Sequence, residues 1–96
     1  MYVLFYEYVD DILERRAPHR EAHLARIAAS DQITMAGALG DPPSGALFVF
    51  DVDDPAAVEE FADGDPYVLE GLVTQRRVVP WKLVQPRPPA QTDVPE

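Results

Sequence analysis

A chain of 96 residues with 8 Lys+Arg against 17 Asp+Glu has a formal net charge of -9, the reverse of the balance that a general nucleic-acid binder needs. At that length it makes one domain with a modest core and leaves no room for a second. The absence of cysteine excludes a disulfide framework, a thiolate nucleophile and Cys-ligated zinc; with no leader-like N-terminus and no apolar run near the ~18 residues of a membrane span, the expectation is a cytoplasmic protein without a membrane partner.

Tyr2 to Val9 is aromatic and β-branched and reads as a strand. Its two faces, Tyr2, Leu4, Tyr6 and Tyr8 on one side and Val3, Phe5 and Val9 on the other, are both apolar, as in a central strand covered twice. Asp10-Asp11 marks a turn. Ile12 to Ala17 predicts a loose helical turn, and Pro18 begins a firmer helix running to about Ser30. Its apolar stripe is Leu24, Ile27 and Ala28, with Arg20 and His23 at the margin. Gln32 to Leu39 is a weaker strand, joined through the turn cluster Gly40 to Gly45 to a third strand, Ala46 to Val52.

Asp54-Pro55 starts a second helix, in which the aspartate accepts from free backbone N–H groups and proline fills the first helical position. Ala57, Val58 and Phe61 give that helix a buried side before Gly64 stops it. Asp65-Pro66 repeats the same start. Val73 to Val79 is a last long strand interrupted by Arg76 and Arg77, and Pro80 to Val84 predicts a short fifth strand. Residues 85–96 carry four prolines and no apolar period, which predicts a disordered tail behind a domain of residues 1–84.

The order β-α-β-β-α-β is that of an α+β, ferredoxin-like sandwich, with both helices on one face of an antiparallel sheet. The first and third strands are central in that topology and are also the most continuously apolar here. The second sheet face is then left open with several large side chains, each gaining roughly 1.5 to 3 kcal/mol from burial. Such a face predicts association of two copies into a barrel-like homodimer.

Four of the basic residues, Arg15, Arg16, Arg20 and Arg26, lie with both histidines between positions 15 and 26. In so acidic a chain this is either a solvated helix face or a patch that orients a small anionic substrate. His19 and His23 share a helix face at a spacing that could ligate zinc, but no metalloprotease glutamate follows His19 and the arginines repel a cation, so no metal is expected. Imidazole titrates near neutrality and can accept and return a proton. Asp65 could orient His23, because both helices lie on the same side of the sheet. The residues alone leave two readings open: a capping aspartate beside a satisfied histidine, or a working pair.

Arg20 with His23-Leu24, Ala36-Gly37, Asp65-Pro66-Tyr67, Gly71-Leu72 and Pro80-Trp81, in this order over about residues 1 to 84, resemble the YciI-like (YCII-related) family. The resemblance implies a dimeric α/β-barrel fold and an active site pairing the histidine of Arg-x-x-His-Leu with the aspartate of Asp-Pro-Tyr, here His23 and Asp65. It also implies, through the activity associated with the group, elimination from small chlorinated ring compounds. One departure is the short, glycine-free connection Ala28 to Gln32 before the second strand.

The first expectation is therefore an acid-base enzyme without a cofactor, acting on a small anionic or phenolic molecule. His23 would be its base and then its acid, Asp65 the orienting group, and Arg16 or Arg20 the anchor. Tyr67 would pack, or would donate to a developing oxyanion. The second expectation is a non-catalytic dimer that binds a metabolite in the same cleft or serves as an accessory module.

Overall fold

Four strands and two principal helices are seen in the computed structural model, which describes residues 1–84; the expected tail lies outside the described residues. Strand β1 (Tyr2–Tyr8) is followed by a one-turn helix α1 (Ile12–Arg15), a 3-10 turn (Ala17–His19) and helix α2 (Arg20–Ala29). Strands β2 (Ile33–Leu39) and β3 (Gly45–Phe50) form a hairpin, and helix α3 (Pro55–Asp63), the short helix α4 (Pro66–Leu69) and strand β4 (Val73–Pro80) complete the chain. The sheet is antiparallel with strand order β2-β3-β1-β4. The two most apolar strands thus take the centre, where each residue is covered by neighbours on both edges.

Alternation along β1 fixes what faces what. Leu4 and Tyr6, with Ala46, Phe48 and Phe50 of β3, pack against Val58, Phe61 and Ala62 of α3. Asp54 caps α3 as its Asp-Pro start predicts, accepting from Ala56 N–H at 2.9 Å. Arg26 ties α2 to α3: its guanidinium donates to the carbonyls of Phe61 and Glu60 and lies over the Phe61 ring. Those carbonyls belong to the last turn of α3, where intrahelical partners run out and a cation is favoured.

Arg76 and Arg77 do not interrupt β4. They point to opposite faces, Arg76 to Asp63 and Glu59 of α3 and Arg77 over the Phe5 ring. The second sheet face, with Val3, Phe5, Leu47, Val49 and Val79 aligned by the register, carries no helix. Phe5 there is 36% exposed and Met35 53%, while Val3 and Val49 are buried, so the expected apolar face is open in part, around Phe5 and Met35.

Two expectations are corrected. Residues 80–84 form no fifth strand: Pro80 ends β4, and Trp81 N–H adds one bond to the Met1 carbonyl. Since β1 begins at Tyr2, residues 82–84 have no strand to pair with among the described residues. Of the stripe Leu24, Ile27 and Ala28, Ile27 packs against the core while Leu24 and Ala28 are exposed, so the stripe as a whole is not the buried side of α2. Leu24 is 45% exposed, and the residue that the helix buries is His23. Among the described residues no helix is long and apolar enough to cross a membrane.

Candidate functional site

The stretch from Asp65 to Leu72 is a one-turn helix closed at both ends. At its start Asp65 has extended backbone angles and its Oδ1 accepts from Tyr67 N–H at 3.0 Å, with Pro66 in the first helical position. At its end Leu72 N–H bonds back to the Tyr67 carbonyl and Gly71 N–H to that of Val68, with Gly71 at φ 75. This double reverse bond around a left-handed residue is the Schellman arrangement, and glycine reaches it without a Cβ penalty. Its usual apolar contact is present too, as Tyr67 and Leu72 pack together with Ile12. Local sequence alone therefore sets Asp65 and Tyr67 in a rigid unit.

Asp65 is fully buried, at 0% exposure. An unpaired carboxylate at such a depth would be strongly unfavourable, and three donors meet it. His23 Nδ1 lies 2.8 Å from Oδ1, Tyr6 O–H donates to Oδ2 at 2.7 Å, and Tyr67 N–H is the third. A carboxylate only accepts, so Nδ1 carries a proton, and in the neutral imidazole Nε2 is the lone-pair nitrogen. His23 is 5% exposed, and its ring stacks on that of Tyr67 with centroids 3.7 Å apart and planes 6° from parallel. Phe48 meets the imidazole edge-on at 6.2 Å. These contacts hold the ring in one plane and one tautomer.

The pair opens onto a cleft of about 330 Å³ whose walls include Tyr8, Arg16, Arg20, His23, Phe48 and Tyr67, with Leu24 and Ile27 from α2 and the Ala36 to Ala38 backbone of β2. Tyr67 Oη is buried and has no hydrogen-bond partner among the described residues. A buried hydroxyl without a partner is unfavourable by ~1 to 3 kcal/mol. Burial raises the Tyr67 phenol above its ordinary 10.0, with the nearby Arg20 and Arg16 guanidinium groups opposing that rise. Tyr8 is raised as well, by burial first and then by Tyr67 and Asp65. The cleft therefore presents a proton-accepting nitrogen, a neutral phenol and two cations around an apolar floor. Such a set suits a small ligand with both an acidic proton and an anionic or polarised oxygen.

The structure divides the basic segment that the sequence shows as one cluster. Arg16 and Arg20 reach the cleft, Arg15 stands 3.7 Å from Asp11 at the surface, and Arg26 holds α3. His19 lies apart from Asp65, 4.0 Å from Glu70. Among the described residues no group of three His, Cys, Asp or Glu side chains converges to hold a metal ion. The contributions of Tyr6 and Tyr8 escape the sequence reading. Their signal is a hydroxyl on the helix-facing side of a central strand, since a buried tyrosine O–H needs an acceptor.

Comparison with known proteins gives matches of three kinds. A family model described as YCII-related domain matches residues 1–82. The proteins named YciI from Escherichia coli O6:H1 and Shigella flexneri are each 30% identical over 96 residues, covering 88% of this chain and 98% of theirs. Among solved structures, 5-chloro-2-hydroxyhydroquinone dehydrochlorinase (TftG) from Burkholderia phenoliruptrix AC1100, in complex with 2,5-dihydroxybenzoquinone, superimposes with a TM-score of 0.72. It is 24% identical, with 85% of this chain and 94% of that one covered; at this identity the likeness speaks for the fold.

Proposed function

This chain belongs to the YCII-related domain family, and from that premise we propose a small enzyme that uses His23 and Asp65 for acid-base chemistry on a compact anionic or phenolic molecule. The observation that carries the reading is the buried 2.8 Å contact between His23 Nδ1 and Asp65 Oδ1, which leaves Nε2 as the accepting nitrogen at the cleft. Nε2 takes a proton from a hydroxyl or an acidified C–H of the ligand. The charge left on the ligand oxygen is met by the Tyr67 hydroxyl and by Arg20 or Arg16. Where the ring bears a leaving group, the electron pair moves inward and the group departs as an anion with its bonding pair, and the imidazolium then gives its proton to water, so that the ring loses the acid HX overall.

The dehydrochlorinase name of the structural neighbour supports elimination as the form of this chemistry. The ferredoxin-like reading of the fold is supported by the order β2-β3-β1-β4. The exposed Phe5 and Met35 support a homodimer through the open sheet face. We read the domain as residues 1–84, and a cytoplasmic site of action fits the same picture.

The test is a screen of hydroxylated ring compounds, halogenated and not, with proton release and halide release followed in the wild type and in His23→Gln. Turnover confined to the wild type is the expected result. Turnover that survives His23→Gln unchanged counts against the pair, and saturable binding without turnover leaves a binding module.

A further inference from the structure

The hydrogen bond between Tyr6 and Asp65 joins the central strand to the candidate site, and no motif or charge pattern draws notice to it. We propose that Tyr6 is a positioning residue for His23, acting through Asp65: its hydroxyl engages Oδ2 and so keeps Oδ1 aimed at Nδ1. The inference rests on the reading of His23 as the proton-accepting group.

The geometry leaves little else for the hydroxyl to do. Asp65 sits on α4, His23 on α2 and Tyr6 on β1, and the three meet only at the carboxylate. Rotation about the Cβ–Cγ bond of Asp65 would exchange its two oxygens or swing both out of line. Tyr67 N–H and His23 Nδ1–H both act on Oδ1, so they leave that rotation braced at one oxygen. The 2.7 Å bond from Tyr6 fixes the other.

Tyr6 is suited to a fixed donor. Its ring is 2% exposed and wedged edge-on against Phe48 at 5.0 Å and beside Tyr8, so the hydroxyl cannot follow the carboxylate elsewhere. Burial first, and then the neighbouring Asp65 charge, raise its phenol far above the ordinary 10.0. The proton therefore stays on the oxygen over the whole working range, and Tyr6 remains a donor. With Oδ2 filled by a neutral donor and Oδ1 by two N–H groups, the carboxylate has no reason to draw the proton off Nδ1. Nε2 is then held as the free end of the imidazole.

The measurement is the tautomer of His23, read from its two ring nitrogen shifts by NMR in the wild type and in Tyr6→Phe. Phenylalanine keeps the ring and its packing and removes only the hydroxyl. The wild type is expected to show a single Nδ1–H form with a slowly exchanging ring proton, and Tyr6→Phe to lose both, giving averaged shifts and a fast-exchanging proton. A Tyr6→Phe protein that keeps the single form and its slow proton overturns the proposal. Should that variant not fold, the wild-type hydroxyl proton of Tyr6 decides: a slowly exchanging resonance supports the bond to Asp65, and rapid exchange with water overturns it. Neither readout needs a substrate, so the absence of any turnover would bear on the proposed enzyme and leave the result for Tyr6 intact.

Discussion

The imidazole of His23 and the phenol of Tyr67 lie face to face, 3.7 Å apart and 6° from parallel, and they differ in whether a polar atom finds a partner. Nδ1 is bonded to the carboxylate, while Tyr67 Oη has no partner among the described residues. The stack and the hydroxyl can therefore be separated by mutation.

Tyr67→Phe keeps the stack and removes the unpartnered hydroxyl. The folded protein should be as stable as the wild type or more stable by about 1 kcal/mol, because an unsatisfied buried group is lost. Turnover should nevertheless fall by roughly 10²- to 10³-fold, as for the loss of an oxyanion donor. Urea unfolding beside steady-state kinetics checks both signs; a stability loss as large as the activity loss would show that Oη is a structural group.

Asp65 acts as helix cap and as acceptor for two side chains, and two substitutions divide these roles. Asparagine caps a helix about as well as aspartate, but its NH₂ needs an acceptor where both Tyr6 and His23 now donate. Asp65→Asn should fold with a loss of roughly 1 to 3 kcal/mol and lose about 10³- to 10⁴-fold in kcat through the wrong imidazole tautomer. Asp65→Ala strands all three donors and should cost about 3 to 5 kcal/mol, or roughly 15 to 30 °C in melting temperature for a domain of this size. Thermal melts followed by circular dichroism distinguish the two.

Arg20 is exposed and Arg16 half-buried at the rim of the cleft. If they attract an anionic ligand, Arg20→Gln should raise KM by about tenfold with little change in kcat, in line with the loss of one charge-assisted bond. Because the Debye length shrinks from ~30 Å at 0.01 M to ~10 Å at 0.1 M salt, the difference between wild type and variant should narrow as salt is raised. A KM that is equally salt-dependent in both would remove Arg20 from ligand capture.

What the chain reveals by itself follows from how local each feature is. Asp54-Pro55 and Asp65-Pro66 are legible because a helix cap is decided within a few residues. The open sheet face is legible from β1, where both alternating sets are apolar. The buried side of α2 is not: periodicity selects Leu24, Ile27 and Ala28, yet His23 goes inside because a carboxylate 42 residues away receives it. The Tyr6 bond spans 59 residues and leaves no local trace beyond a polar atom on an inward face. Pro80 to Val84 reads as a strand by composition, but Pro80 is the end of β4 and residues 82–84 have no strand to pair with among the described residues, which only the register of β1 discloses.

Alkaline pH should unfold this protein through its tyrosines. Tyr6, Tyr8 and Tyr67 all have phenols raised above 10.0 by burial, so above pH 10 the unfolded chain releases protons that the folded chain retains. Stability is complete below that value and is lost as pH climbs from it toward the raised folded values. Each tyrosine contributes at most about 1.4 kcal/mol per pH unit. Urea midpoints should be flat from pH 8 to 9 and fall steeply above 10, and the tyrosinate absorbance of these three residues should rise only as the protein unfolds.

The exposed face of β1 and β3 should hold two copies together at micromolar concentration. Phe5→Glu puts a charge in the middle of that face, where Arg77 lies over the ring, and should shift sedimentation from dimer to monomer while leaving the fold intact. A wild type that sediments as a monomer would leave the open face without its occupant.

The three-way meeting at Asp65 also has a consequence for the order in which the molecule matures. Tyr6 and His23 lie in the first quarter of the chain, and the carboxylate that joins them lies at position 65. A nascent polypeptide leaving the ribosome can pair β1 with β3 and lay α2 on the sheet, but its imidazole and phenol then face an unfilled gap. They meet their acceptor only when the closed turn from Asp65 to Leu72 has emerged, so the three-way junction closes late in synthesis and as a single event.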